Sequence, residues 1–324
     1  MMRAIRFAKT GAIEVLEYSQ QLAKPTVADD EVLVRNHYAG INFIDIYHRT
    51  GLYKVPLPYT PGREASGIVE AVGSAVAKLR VGDRVCHLSP NCYAEYSAVK
   101  EGFCLALPKD QSMEVGAALL LQGLTAMVLC RIVHRVEPGQ VVLVYAAAGG
   151  TGQLLVQLCR LYGATVIGVT SSEAKAELAR KAGAQHIINY SIQDILTEVK
   201  RITAGKGVNA VFDSVGKSTF DTSLQCLTRL GSMVSFGNAS GKVEPIDIAK
   251  LVPNQVRLMR PSLLSLVATP EEFQPLATEL VGLLTSGKLV VHVQKIYELK
   301  DAGNAQTDLE SGKSVGKLLL RIPE

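Results

Sequence analysis

The stretch VLVYAAAGGTGQLLVQLCR, residues Val142 to Arg160, passes from a β-branched run through three alanines and a glycine cluster into a segment with helical spacing. The dinucleotide fingerprint has the form G-x-G-x-x-G. Its positions here are Ala147, Gly149 and Gly152, so alanine replaces the first glycine. In isolation the stretch reads equally well as a glycine-rich turn between a strand and a helix. Its surroundings have to decide.

From about Gly123 the chain alternates. QVVLVYA, TVIGVT, HIIN, NAVFDSVG and SMVSFG have strand character, and between them lie TGQLLVQLCRLYG, SSEAKAELARKAG, IQDILTEVKRITAG and STFDTSLQCLTRLG, which have helical character. The helical segments end in glycine, a natural stop because glycine tolerates positive φ. Repeated βα units with short loops give a doubly wound parallel sheet with helices on both faces. The glycine cluster follows the first strand and opens the first helix, where the helix N-terminal amides face a pyrophosphate. Gly149 allows close backbone approach and Gly152 close helix–strand packing, while Ala147 serves the turn if its φ stays negative. A P-loop is excluded, since SGKS near Ser314 has Thr307 where the first glycine is needed and no strand leads into it.

Before this region, EVLVRNHYAGI and ASGIVEAVG are short β-branched runs separated by Gly, Pro and Asp, which suits a compact antiparallel barrel or sandwich. After about Arg260 come a helix, TPEEFQPLATELVGLLTSGKL, a strand, VHVQKIYEL, a further helix and the apolar run KLLLRI. The domains expected are therefore 1–122, 123–260 and a returning segment 261–324 that completes the first. The 324 residues are 48% hydrophobic, with 34 basic against 30 acidic side chains and no run of like charge. That balance advertises neither a nucleic-acid nor a membrane surface and leaves a small molecule as the expected partner. No signal-type segment opens the sequence and no 18-residue apolar run occurs, so the expected location is cytoplasmic. Six cysteines without a C-x-x-C pair read as reduced, buried thiols.

Cofactor choice turns on the end of the second strand, TVIGVTSSEAK. An NAD site places a carboxylate there for the ribose hydroxyls. Here Thr170, Ser171 and Ser172 occupy that place and Lys175 follows, which suits a 2'-phosphate and favours NADPH. Glu173 argues the other way, but a glutamate in a first helical turn ordinarily serves the helix dipole.

From Gly139 the chain reads Gly139-Gln140-x-x-Leu143-x-x-x-Ala147-Ala148-Gly149-Gly150-x-Gly152, continuing to Gln157 and Arg160. This resembles the signature of quinone oxidoreductases of the zeta-crystallin type, in the medium-chain dehydrogenase/reductase superfamily. GINFIDIYHRTGLY, PGREASGIVEAVG, VGDRV, LLLQGLTA, VFDSVG, MVSFGNASG and RPSL resemble family segments in family order. The resemblance implies a GroES-like barrel domain followed by a Rossmann domain, NADPH bound in a cleft between them, and a homodimer. It implies that Asn42 and Tyr47 line the nicotinamide end and that Thr125 lies near the nicotinamide ribose. The turn with Ala147, Gly149, Gly150, Thr151 and Gly152 would hold the pyrophosphate. Ser171, Lys175 and Tyr190 would hold the 2'-phosphate, and Phe236, Gly237 and Asn238 would approach the nicotinamide from the sheet side. Tyr47 is the candidate for orienting substrate, with Asn42 beside it and Arg260 as a further contact. Gln122 departs from relatives that carry lysine there.

Zinc divides this superfamily. Where zinc dehydrogenases carry a cysteine and a histidine, Ile44 and Asp45 fall at the first place and Arg63 replaces the second, so no metal is expected. Cys86, His87 and Cys92 lack ligand spacing. Without a Lewis acid the acceptor has to take hydride readily, which points to hydride transfer from NADPH to a quinone. Two rivals stay open. One is NADPH-dependent reduction of an α,β-unsaturated carbonyl, an alkenal or 2-enoyl thioester. The other is non-catalytic binding of AU-rich RNA, against which stands 6% aromatic content with no tryptophan.

Overall fold

The computed structural model describes residues 1–323. The chain divides into two compact units, one formed by Met1–Leu121 together with the chain from Thr269 onward, the other by Gln122–Ala268. The returning segment thus starts at Thr269 rather than at 261. Arg260 stays with the second unit because its guanidinium donates to the carbonyls of Ser235 and Gly237, at 2.9 and 3.0 Å.

The second unit carries a six-stranded sheet in the order His186–Asn189, Thr165–Thr170, Val141–Val144, Val208–Asp213, Leu227–Ser235, Arg257–Met259. All of its pairings are parallel. Strand order reverses on either side of Val141–Val144, the arrangement of a Rossmann sheet. Helix Gly150–Leu161 buries Leu154, Leu155, Leu158 and Cys159 on one stripe and leaves Arg160 exposed. Helix Glu173–Lys181 starts at Ser172, whose hydroxyl accepts from Lys175 N, and helix Ile195–Ile202 at Asp194, whose carboxylate accepts from Thr197 N. Each hydroxyl or carboxylate satisfies one of the amides that the first helical turn leaves open. These three helices are followed by glycines in the left-handed region, Gly163, Gly183 and Gly205. The fourth helical segment is shorter than its sequence suggests. It stops at Gln225, and Leu227 already pairs with Val208. The strand then bulges, so that the next pair is Ala210 with Ser232, and Leu230 adopts φ 63°.

In the first unit a sheet runs Val293–Glu298, Lys317–Arg321, Glu31–Gly40, Glu64–Val72, Arg84–Leu88, Cys104–Ala106, with Tyr96–Lys100 also paired to Glu31–Gly40. Its pairings are antiparallel except for the one between the two C-terminal strands. Helix Pro270–Thr285 begins with a reciprocal cap between Thr269 and Glu272, and helix Phe43–Thr50 ends at Gly51 in the left-handed region. All six cysteines are free and buried. Among the described residues no helix is long and apolar enough to cross a membrane.

Candidate functional site

The Val141–Val144 strand ends in a turn that makes its sharpest bend one residue before the fingerprint. Ala146, not Ala147, lies in the left-handed region, at φ 49°. Its carbonyl accepts from Gly149 N at 2.9 Å, closing the turn, while Ala147 N donates to Val169 O and ties the turn to the next strand. Gly149 is the N-cap of the following helix, at φ −76° and ψ 170°. A Cβ there would meet the Ala146 oxygen alone, at 3.2 Å. At Gly152 a Cβ would collide with that same oxygen and lie 2.9 Å from both the Ala146 carbonyl carbon and the Ala147 Cα. The two glycines therefore answer different needs. Gly152 lets helix and turn pack, and Gly149 keeps the rim of the helix N-terminus bare, where an anionic group fits.

Apart from Thr125, the other expected cofactor residues of this unit follow neighbouring parallel strands and so share the carboxyl end of the sheet, where α/β folds bind ligands. Lys175 Nζ donates to Ser171 Oγ at 3.1 Å, and burial lowers the lysine pKa. Thr170 Oγ1 is buried with no partner. Tyr190 follows the adjacent strand, its amide on Thr170 O and its side chain exposed. Phe236, Gly237 and Asn238 follow Leu227–Ser235, and Arg260 donates to Ser235 and Gly237 at the base of that loop. Asp213, fully buried, accepts from Val215 N, Gly216 N, Thr219 Oγ1 and Ser223 Oγ, which shapes the VFDSVG turn. Thr125 is half-buried on helix Leu120–Val128. A bare helix rim, a hydroxyl–ammonium pair and an orphaned buried hydroxyl at the carboxyl end of one sheet fit a phosphorylated dinucleotide.

Asn42 and Tyr47 belong to the first unit. Tyr47 is buried on helix Phe43–Thr50, with its ring against Phe43 and Tyr53 at 6.0 and 5.1 Å between centroids. Asn42 enters a buried polar network that the sequence did not announce. Lys317 Nζ donates to Ile41 O and Asn42 Oδ1, each at 2.9 Å, and to Glu64 Oε1 at 2.7 Å. Asn42 Nδ2 reaches the same Glu64 oxygen, and Glu64 Oε2 accepts from Leu121 N at 2.9 Å. Burial lowers the Lys317 pKa against the pull of Glu64. Asp45 accepts from Asn42 N, Gly62 N and Tyr93 Oη, yet burial still raises its carboxyl to about 6.

Residues 28–115 match the family model described as the alcohol dehydrogenase GroES-like domain, and 150–282 match the one described as zinc-binding dehydrogenase. A quinone oxidoreductase of Pseudomonas aeruginosa is 40% identical over 325 residues, 99% of each chain. The chain belongs to the quinone oxidoreductase family. The solved structure of an Escherichia coli quinone oxidoreductase complexed with NADPH superposes with TM-score 0.94 at 40% identity, covering 98% of this chain and 99% of that one. A 2-haloacrylate reductase of Burkholderia is 38% identical over 301 residues, 90% of each chain. Within this quinone oxidoreductase fold, no group of three or more His, Cys, Asp or Glu among the described residues is placed to hold a metal ion.

Proposed function

We propose that the chain is an NADPH:quinone oxidoreductase of the zeta-crystallin type. The observation that carries this is the Lys175–Ser171 pair at the end of the second strand, where a carboxylate selective for NADH would stand. NADPH supplies the hydride when bound. The amides opening helix Gly150–Leu161 meet the pyrophosphate beside Gly149, Gly150 and Thr151, with Ala147 and Gly152 setting the turn. Ser171, Lys175 and the exposed Tyr190 take the 2'-phosphate. Thr125, Phe236, Gly237 and Asn238 flank the nicotinamide, and Arg260 acts by bracing their loop. Tyr47 orients the acceptor, and Asn42, locked by Lys317 and Glu64, fixes the start of the helix that carries Tyr47. Ile44, Asp45 and Arg63 stand where metal-dependent relatives carry zinc ligands, and none of them supplies a soft or imidazole donor, so chelation should leave turnover unchanged. The cytoplasmic homodimer is part of this reading, and it suits the open edge at Arg257–Met259, which among the described residues pairs on one side only.

The test is binding. NADPH should bind at least tenfold more tightly than NADH, since a lost charge-assisted contact is worth about 1.5–3 kcal/mol and tenfold is about 1.4. Lys175→Ala should erode the preference, and equal constants in the unmodified protein would remove the argument. The similarity to a 2-haloacrylate reductase favours reduction of an activated alkene as the second reading. Turnover of enals or enoyl thioesters above quinones, at saturating NADPH, would establish it.

A further inference from the structure

Three buried polar atoms without hydrogen-bond partners converge in the first unit: His48 Nδ1, Tyr59 Oη and Arg63 Nε. His48 lies next to Tyr47 on helix Phe43–Thr50, Tyr59 on the loop before Arg63, and Arg63 at the residue preceding strand Glu64–Val72. The His48 and Tyr59 rings meet edge to face, 5.3 Å between centroids. Tyr53 joins the set to the proposed acceptor site, its ring 6.5 Å from His48 and 5.1 Å from Tyr47.

The charges here are unequal. Both neighbouring carboxylates are committed, Asp45 to Asn42 N, Gly62 N and Tyr93 Oη, and Glu64 to Lys317, Asn42 and Leu121 N. Among the described residues Arg63 makes no ion pair. Burial, with the Arg63 charge beside it, lowers His48 to about 4, so the imidazole stays neutral at pH 7. Burial raises the Tyr59 phenol, which stays protonated, although the adjacent Arg63 guanidinium, through its charge and its approach to the phenol oxygen, pulls the other way; that approach falls short of hydrogen-bond geometry and leaves the O–H free to donate. The result is a guanidinium and a phenol O–H, both able to donate, beside a neutral imidazole that donates from one ring nitrogen and accepts at the other. Buried polar groups are ordinarily paired, and a set of unpaired donors around one unneutralised cation is suited to an anion.

We infer that Arg63, with Tyr59 and His48, forms a subsite for an anionic substituent, a carboxylate or sulfonate, on the acceptor that Tyr47 orients. This deepens the quinone reading and rests on it. Arg63 thereby becomes a specificity-determining residue: the planar fork binds two oxygens of the anion, and Tyr59 Oη donates to one of them.

The test compares 1,4-naphthoquinone with 1,4-naphthoquinone-2-sulfonate at saturating NADPH, using the full chain. The ratio of kcat/KM values, sulfonate over neutral, should fall at least about tenfold in Arg63→Gln and recover partly in Arg63→Lys. Tyr59→Phe, which keeps the ring and removes only the hydroxyl, should lower the same ratio about threefold. A ratio unchanged in both Arg63→Gln and Tyr59→Phe overturns the subsite. Calorimetric titration with naphthalene-2-sulfonate reads the subsite without turnover. Binding that weakens at least about tenfold in Arg63→Gln supports it, and equal binding by both proteins overturns it. If neither quinone is reduced by the unmodified chain, the quinone reading fails and the titration alone decides the subsite.

Discussion

Substitutions at Gly149 and Gly152 should separate ligand binding from folding. In Gly152→Ala the new methyl overlaps the Ala146 carbonyl oxygen and crowds two further backbone atoms at 2.9 Å. These atoms cannot step aside cheaply, because the same carbonyl accepts from Gly149 N at 2.9 Å and closes the turn. Overpacking of this kind costs about 1–3 kcal/mol, and backbone obstacles put it at the upper end. The better helix propensity of alanine returns up to about 1 kcal/mol. The net loss is about 2 kcal/mol, a fall in Tm of about 4–8 °C for a unit of this size. Gly149 has extended backbone that any residue adopts and a single oxygen at 3.2 Å, so Gly149→Val should stay within about 1 kcal/mol of the parent. Its side chain would fill the rim proposed to hold the pyrophosphate, and NADPH affinity should then fall about 100-fold. Thermal unfolding followed by circular dichroism, with NADPH titrated by fluorescence, reads both quantities. Gly152→Ala as stable as the parent, or a folded Gly149→Val that binds NADPH normally, would refute the division of roles.

Lys317→Met should destabilise the first unit by about 3–5 kcal/mol in denaturant unfolding, because it strands the buried Glu64 carboxylate, and adding Glu64→Gln should restore much of the loss. Ala146→Gly, which relieves a left-handed alanine, should raise stability by up to about 1 kcal/mol, whereas Ala147→Gly should not. Stability should also rise with pH between about 4 and 6. His48 and His87, held at about 4 and about 3, bind protons in the unfolded chain over this window, while Asp45, raised to about 6, binds one in the folded chain. The histidine contributions grow with pH and that of Asp45 is lost, and His134, which burial also lowers, adds to the histidine side, so the net slope is positive and at least about 1.4 kcal/mol per pH unit. Asp45→Asn removes the opposing member and should steepen the slope, and an unchanged slope in urea unfolding across these pH values would count against this.

The alternating half of the chain was legible because each strand, helix and stop is specified locally, by apolar runs, caps and glycines such as Gly163 and Gly183. The same locality explains what was missed. Leu227 to Gly231 follow a helical pattern, but pairing of Leu227 with Val208 draws them into a strand, and a bulge absorbs the mismatch. Lys317 opens an apolar run and lysine is ordinarily exposed, so its burial is visible only through Glu64, 253 residues away in sequence. Ala147 keeps a negative φ, as the turn requires of it, and the left-handed residue falls one place earlier, at Ala146, since a fingerprint fixes residue types and not the dihedral that bends first. Asn42 stood out in the sequence, but the network that locks it did not.

The first unit begins at Met1 and is finished by Lys317–Arg321, a strand inserted between Val293–Glu298 and Glu31–Gly40. Folding during synthesis generally proceeds domain by domain from the N-terminus. Here that order is inverted. The Gln122–Ala268 unit can close while the earlier-made strands still lack their neighbour and Glu64 its counter-ion, so the oldest part of the nascent chain waits longest, its sheet edge open. A ribosome that stalls or a message cut short before Lys317 therefore releases a folded nucleotide-type unit tethered to an unfinished sheet, a species exposed to chaperones and proteases until the last strand arrives.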